Sequence, residues 1–342
     1  MRSLVTGGGG FLGGAIARRL LERGDAVRSF SRGDYPELLA QGVEAHRGDL
    51  ADLDAVLRAA QGCDAVFHTA AKAEIWGPYT EFCRANVLGT KNVIEACRRH
   101  GVARLVYTST PSVTFAGRDQ AGVDESAPYP ARFLAHYPKT KAEAERIVLA
   151  ANSPELATVA LRPHLIWGPG DNHLAPKIIE RARAGKLRLV GTGGKLVDSV
   201  YIDNAADAHV LAADRLRDDS SALGPAAGKA YFISNGEPRP VADLINGILD
   251  AAGLPPVRRT VSPGVAYAVG WMLETVYGAL RLKGEPAMTR FVARQLATSH
   301  WFDISAARRD LGYRPAVSIE EGMRRLKKRL SSRGTARASS WD

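Results

Sequence analysis

Cysteine is scarce in this sequence: its 342 residues include only Cys63, Cys83 and Cys97, with no Cys-x-x-Cys pair. An odd, widely spaced set excludes a disulfide framework and a thiolate zinc site; the expectation is a metal-free protein of the reducing cytoplasm. Long hydrophobic runs are missing too. The most apolar stretch, residues 263–282, is broken by Glu274 and by Gly264, Gly270 and Gly278. It is a poor membrane span, though its character suits peripheral contact with a bilayer surface. No basic-then-apolar leader follows Met1-Arg2, so no signal peptide is expected. Acidic residues are the minority charge, 36 against 46 Lys+Arg, which leaves a net charge of +10. The excess suits anionic partners in general, but no aromatic-interleaved basic motif accompanies it, and nucleic acid is not an expected partner. Part of it, Arg324, Arg325, Lys327, Lys328 and Arg329, has the spacing of the solvated face of a last helix.

What is present is a chain long enough for one large domain with a satellite lobe, with 45% hydrophobic and 24% charged residues, an ordinary globular balance. Short apolar runs at 3–6, 26–30, around Ala45, 65–69, 105–109 and 158–162 alternate with helical periodicity such as Ala15, Ile16, Leu20, Leu21. Strand–helix alternation implies right-handed crossovers and a parallel sheet. The expectation is an α/β fold: a Rossmann-type doubly wound sheet in a dinucleotide-binding domain over 1–163, completed by segments around 196–235. A smaller C-terminal substrate lobe follows over 164–330, with a flexible tail at 331–342.

Thr6-Gly7-Gly8-Gly9-Gly10-Phe11-Leu12-Gly13 follows the first strand and opens the first helix. Gly7, Gly10 and Gly13 let the backbone turn sharply and approach a pyrophosphate, which the free N–H groups of the helix N-terminus attract. Ser31-Arg32 stands where an NAD enzyme ends its second strand with an acid, so NADP(H) is favoured over NAD; Asp34 keeps the NAD alternative open. Asp49-Leu50 follows the third strand, with Asp49 either an adenine acceptor or a helix N-cap.

Tyr137 and Lys141 form a YxxxK element on one helical face. A lysine ammonium there lowers the phenol's pKa toward neutrality, as general acid–base catalysis requires. Thr110, at the end of the fifth strand, offers a hydroxyl to a substrate carbonyl, with Ser109 and Ser112 as alternatives. Trp76, Trp167, Trp271 and Trp301 are either buried aromatics or the lining of an apolar pocket, and His164 and His173 flank a Gly/Pro-rich loop suited to substrate contact.

These elements, together with His68-Thr69-Ala70-Ala71, Asn86-Val87-Leu88-Gly89-Thr90, the run from Leu161 to Asp171 and Val200-Tyr201-Ile202-Asp203-Asn204, resemble the extended short-chain dehydrogenase/reductases of the 3β-hydroxysteroid dehydrogenase-like branch. Within the branch, Ala70-Ala71-Lys72-Ala73, Thr108 to Val113 and Tyr231 to Pro238 resemble the reductases of 2-alkyl-3-keto acids in bacterial long-chain olefin biosynthesis. The resemblance implies NADPH-dependent reduction of such a long-chain substrate to the 3-hydroxy acid, beside thiolase-like and β-lactone synthetase enzymes, in a homodimer. It further implies cofactor contacts from Ala70, Ala71, Lys72 and Pro163, with Tyr137, Lys141 and Thr110 catalytic. The family's usual serine is replaced here by Thr110. The rival readings are a 3β-hydroxysteroid dehydrogenase, an NAD-dependent nucleotide-sugar epimerase or dehydratase, and a non-catalytic NADP-binding protein.

Overall fold

The computed structural model describes residues 1–217 and 223–338. In chain order the main elements are β1 (Arg2–Thr6), α1 (Phe11–Glu22), β2 (Ala26–Ser31), β3 (Glu44–Arg47), α2 (Leu53–Ala60), β4 (Ala65–His68), α3 (Gly89–His100), β5 (Arg104–Thr108), α4 (His136–Ala150) and β6 (Ala157–Pro163). There follow α5 (Leu174–Arg183), α6 (Ile202–Asp214), β7 (Lys229–Ile233), α7 (Val241–Ala251), α8 (Pro263–Ala279), α9 (Arg290–Leu296) and α10 (Ile319–Ala338).

Seven strands pair side by side in the order β7-β6-β5-β4-β1-β2-β3, every pair parallel. Successive strand residues point to opposite faces, and both faces are covered. Val5, Phe67, Val106 and Val159 enter one core with Leu12, Ile16 and Ala205; Leu4, Val66, Leu105 and Ala160 enter the other with Val56, Val93 and Val148. Burial on both sides is why these strands read as unbroken apolar runs. Helices α1 and α6 pack together on the first face, α2, α3 and α4 on the second.

Of the segments around 196–235, β7 joins the parallel sheet beside β6. Leu196–Val197 instead enters a four-stranded sheet with Arg239–Pro240, His300–Phe302 and Gln120–Val123. The core of the first face runs on without a break into this outer region, through Trp167, Tyr201, Ile248 and Phe302. Helix α10 continues through Ser331 to Ala338, so the segment read as a tail begins inside a helix; residues 339–342 lie outside the described residues.

Candidate active site

The C-terminal edge of the parallel strands collects the residues with chemistry. At β1, Gly7 has φ +72°, and a Cβ on Gly13 would stand 2.2 Å from the Gly7 carbonyl oxygen. Only glycine permits that approach. Helix α1 starts at Gly10 with no side-chain cap, leaving its first N–H groups available to an anion. Phe11 is partly buried beside Gly170, and Leu12 is anchored in the core. This cradle fits the pyrophosphate of a dinucleotide.

Ser31 accepts the Gly9 N–H at 3.3 Å. Arg32 is exposed, whereas Asp34 pairs with Arg47 at 3.2 Å. A neighbour the motif did not reveal is Tyr35, whose ring lies where a Cβ on Gly9 would fall, at 2.1 Å. Asp49 accepts the Ala51 N–H at 2.9 Å and pairs with Arg84 at 3.1 Å; the backbone bond is the chief cause of its lowered pKa. It does not cap a helix: that role belongs to Asp52, which accepts from Ala55 N. Leu50 packs against Gly89, and its carbonyl takes the Asn92 amide.

A directed hydrogen-bond chain ties the glycine loop to the segment after β4. Thr90 donates to the Asn86 carbonyl at 2.6 Å, so it accepts from His68 Nε2 at 3.0 Å. The other His68 nitrogen is then an acceptor for the Thr6 hydroxyl at 2.7 Å, and Thr6 in turn accepts the Ala70 N–H. The chain needs a neutral His68, and burial drives the imidazole pKa down to about 3. Ala71 is exposed. The Lys72 backbone exchanges two bonds with Asn86, whose amide also reaches Thr140 beside Lys141. Lys72 Nζ meets Glu81 at 3.1 Å.

Tyr137 enters on the first turn of α4, one turn before Lys141. Burial pushes the phenol up to about 12, and hydrogen bonding from Thr110 is the influence that opposes it. Lys141 is buried as well. Its Nζ donates to the Thr108 carbonyl at 2.5 Å and lies 4.1 Å from the Tyr107 ring centroid. Burial pulls the lysine itself down to about 7, with Glu145 acting against the fall. Thr108 is fixed from its other side by His209 Nε2 at 2.9 Å. Thr110 caps the short turn Pro111–Thr114 by accepting the Ser112 N–H. Of the alternative hydroxyls, that of Ser109 is buried with no partner among the described residues and that of Ser112 receives the Gln295 amide at 3.4 Å. Pro163 ends β6, buried beside Ile233.

His164 does not face an open loop; it belongs to a buried cluster that sequence reading missed. His300 Nε2 donates to the Gln295 carbonyl at 2.9 Å, so its Nδ1 accepts from His164 Nε2 at 3.2 Å. One proton therefore lies between His164 Nδ1 and Asp198 Oδ1, 2.5 Å apart, making the pair neutral as a whole. Asp198, His300 and Gln295 come from separate elements with no shared spacing, so no motif could announce them. His173 serves as the N-cap residue of α5. The tryptophans stand in different settings: Trp167 is fully buried and bonded to Ser199, Trp301 lies against Gly122, Trp76 meets Tyr277 edge-on, and Trp271 is 56% exposed. Among the described residues no group of His, Cys, Asp and Glu forms a metal site.

The chain is 57% identical over 330 residues to a 2-alkyl-3-oxoalkanoate reductase of Stenotrophomonas maltophilia (strain K279a), covering 96% of this chain and 98% of that protein. It is 38% identical to a 3 beta-hydroxysteroid dehydrogenase/Delta 5→4-isomerase of Mycobacterium tuberculosis (strain ATCC 25618 / H37Rv), over 94% of this chain and 88% of the other. Among solved structures, the Thermus thermophilus UDP-glucose 4-epimerase in complex with NAD superposes with a TM-score of 0.73 at 26% identity, over 97% and 99% of the two chains. Residues 4–263 match the model of the 3-beta hydroxysteroid dehydrogenase/isomerase family. The chain belongs to that family of nicotinamide-dependent oxidoreductases.

Proposed function

We propose that the protein reduces the 3-keto group of long-chain 2-alkyl-3-oxoalkanoates with NADPH. The observation that carries the reading is a buried phenol on the first turn of α4, beside the Thr110 hydroxyl that follows β5, at the same edge of the sheet as the glycine cradle after β1; burial pushes its pKa up to about 12. A protonated phenol at neutral pH is a proton donor, as carbonyl reduction requires. When bound, the nicotinamide supplies the hydride. The chain's own residues do the rest. Tyr137 gives its proton to the nascent C3 alkoxide, Thr110 holds that oxygen, and Lys141 fixes the Thr108 carbonyl at the base of the site while offering a cation to the ribose. Gly7, Gly10 and Gly13 with the start of α1 hold the pyrophosphate.

NADPH is favoured because Asp34 is spent on Arg47 while Arg32 remains exposed at the end of β2, an arrangement suited to a 2′-phosphate. The substrate class follows the relatives named 2-alkyl-3-oxoalkanoate reductase. In that setting a thiolase-like enzyme would supply the keto acid and a β-lactone synthetase would consume the alcohol. The test is oxidation of NADPH, and of NADH in parallel, against 2-alkyl-3-keto acids, 3-ketosteroids and nucleotide sugars. Turnover of the keto acids with NADPH is expected. Turnover of nucleotide sugars alone, with NAD retained through purification, overturns the reading.

A further inference from the structure

We propose that the Lys72 side chain anchors the carboxylate of the substrate and so makes the site prefer a 3-keto acid to a plain ketone. The inference rests on the substrate reading above and deepens it. In a 2-alkyl-3-oxoalkanoate a single carbon separates the carboxylate from the carbonyl that accepts hydride. Whatever cation receives the carboxylate must therefore lie at the same edge of the sheet as the Tyr137 phenol. A carboxylate carried into a cleft loses its water, and a charged donor has to replace it.

The structure holds Lys72 at that edge through its backbone and its stem. The residue follows Ala70-Ala71 beyond β4 and exchanges two backbone bonds with the Asn86 amide, at 2.8 and 3.1 Å. The same amide reaches the Thr140 hydroxyl at 3.0 Å, three residues after Tyr137 on α4. The stem passes Gly77, where a Cβ would stand 3.6 Å from Lys72 Cε. Its Nζ lies 5.3 Å from the centroid of the buried Phe82 ring, and that ring is 6.2 Å from the imidazole of His136, the residue before Tyr137. The Lys72 side chain is only 24% exposed, yet the acids that meet it, Glu81 at 3.1 Å and Glu74 at 3.6 Å, are 56% and 53% exposed. Ion pairs with such exposed partners contribute little and are screened by salt, so they act as a resting counterion that an incoming carboxylate displaces. Neighbouring cations are committed: Lys141 to the Thr108 carbonyl, Lys177 to Glu285, and Lys139 to the face of Tyr79.

The test compares a 2-alkyl-3-hydroxy acid with its methyl ester, each oxidised with NADP+; the ester keeps the reacting carbinol and both alkyl arms and lacks only the charge. Wild type should favour the acid in kcat/KM by about 10- to 100-fold, the scale of a charge-assisted bond. Lys72→Met should bring that ratio close to one, through KM more than kcat, and Lys72→Arg should restore most of it. Glu81→Gln, which removes a competing carboxylate, should raise the ratio above that of wild type. NADPH affinity, titrated without substrate, should change by less than about twofold in Lys72→Met. A ratio near one in wild type, or an unchanged ratio in folded Lys72→Met, overturns the proposal. So does an equal loss for acid and ester accompanied by weaker NADPH binding, which assigns the ammonium to the cofactor. Turnover of neither probe by wild type is a different failure: it removes the substrate reading itself, and the anchor with it.

Discussion

The two ends of this molecule treat hydrophobic sequence in opposite ways. In β1, β4 and β5 every apolar side chain is taken up between two helical layers, and two of the polar groups that come with them, Thr6 and His68, join Thr90 of α3 in a directed chain. In α8 the apolar side chains outnumber the surface the fold provides, and they face outward. Hydrophobicity in a sequence states a demand for burial; the surrounding topology decides whether the same chain meets it.

Measurements on each end can sharpen or break that contrast. The largest effect should come from acid. His68, His209 and His300 are held neutral by burial, with pKa values near about 3, 4 and 4, whereas an unfolded histidine titrates near about 6.5. Below pH 6.5 the unfolded chain binds protons that the folded chain refuses. Their stabilising contribution is therefore complete above that pH and is lost as the pH falls toward 4. Denaturant midpoints from pH 7 to 4.5 should drop steeply, and His209→Gln should flatten the slope; an unchanged slope means the buried imidazoles are not the sensor.

Asp198→Ala removes one partner of the buried pair with His164 and should destabilise the protein by about 3–5 kcal/mol. Tyr137→Phe should leave stability and NADPH binding nearly intact and lower kcat by about 10²-fold or more; near-normal turnover in the folded variant assigns the proton to another group. Arg32→Ala should weaken NADPH by about 1.5–3 kcal/mol with little change for NADH, read by titration of both. Trp271→Ser should shift stability by no more than about 0.5 kcal/mol, as for an exposed site. A larger loss would show that α8 is packed after all, and the contrast with the sheet would disappear.

The sheet was legible because parallel strands buried on both faces leave unbroken apolar runs between turns: the run at 105–109 is β5, displaced by one residue, and the run at 26–30 lies within β2. The glycine loop was legible for a related reason, since close backbone approach admits no other residue at Gly13. Partners separated by long stretches of chain were not. Nothing in the spacing of Tyr137 and Lys141 shows that the amine would turn to the Thr108 carbonyl, and nothing local to His164 points to Asp198 or His300. Trp167 and Trp271 look equivalent as letters, yet one is sealed in the core and the other stands in solvent.

Lys141, with a pKa of about 7, gives ligand binding a proton stoichiometry. At neutral pH about half of the molecules hold this amine uncharged. An anionic ligand that draws it into hydrogen bonding favours the ammonium, and the missing proton is taken from the buffer. Binding heats measured in buffers of different ionisation enthalpy should therefore diverge, with a slope approaching about half a proton taken up per site at pH 7 and vanishing well below it. Helix α4 would then act as a small proton sponge, charged by the arrival of the molecule it binds.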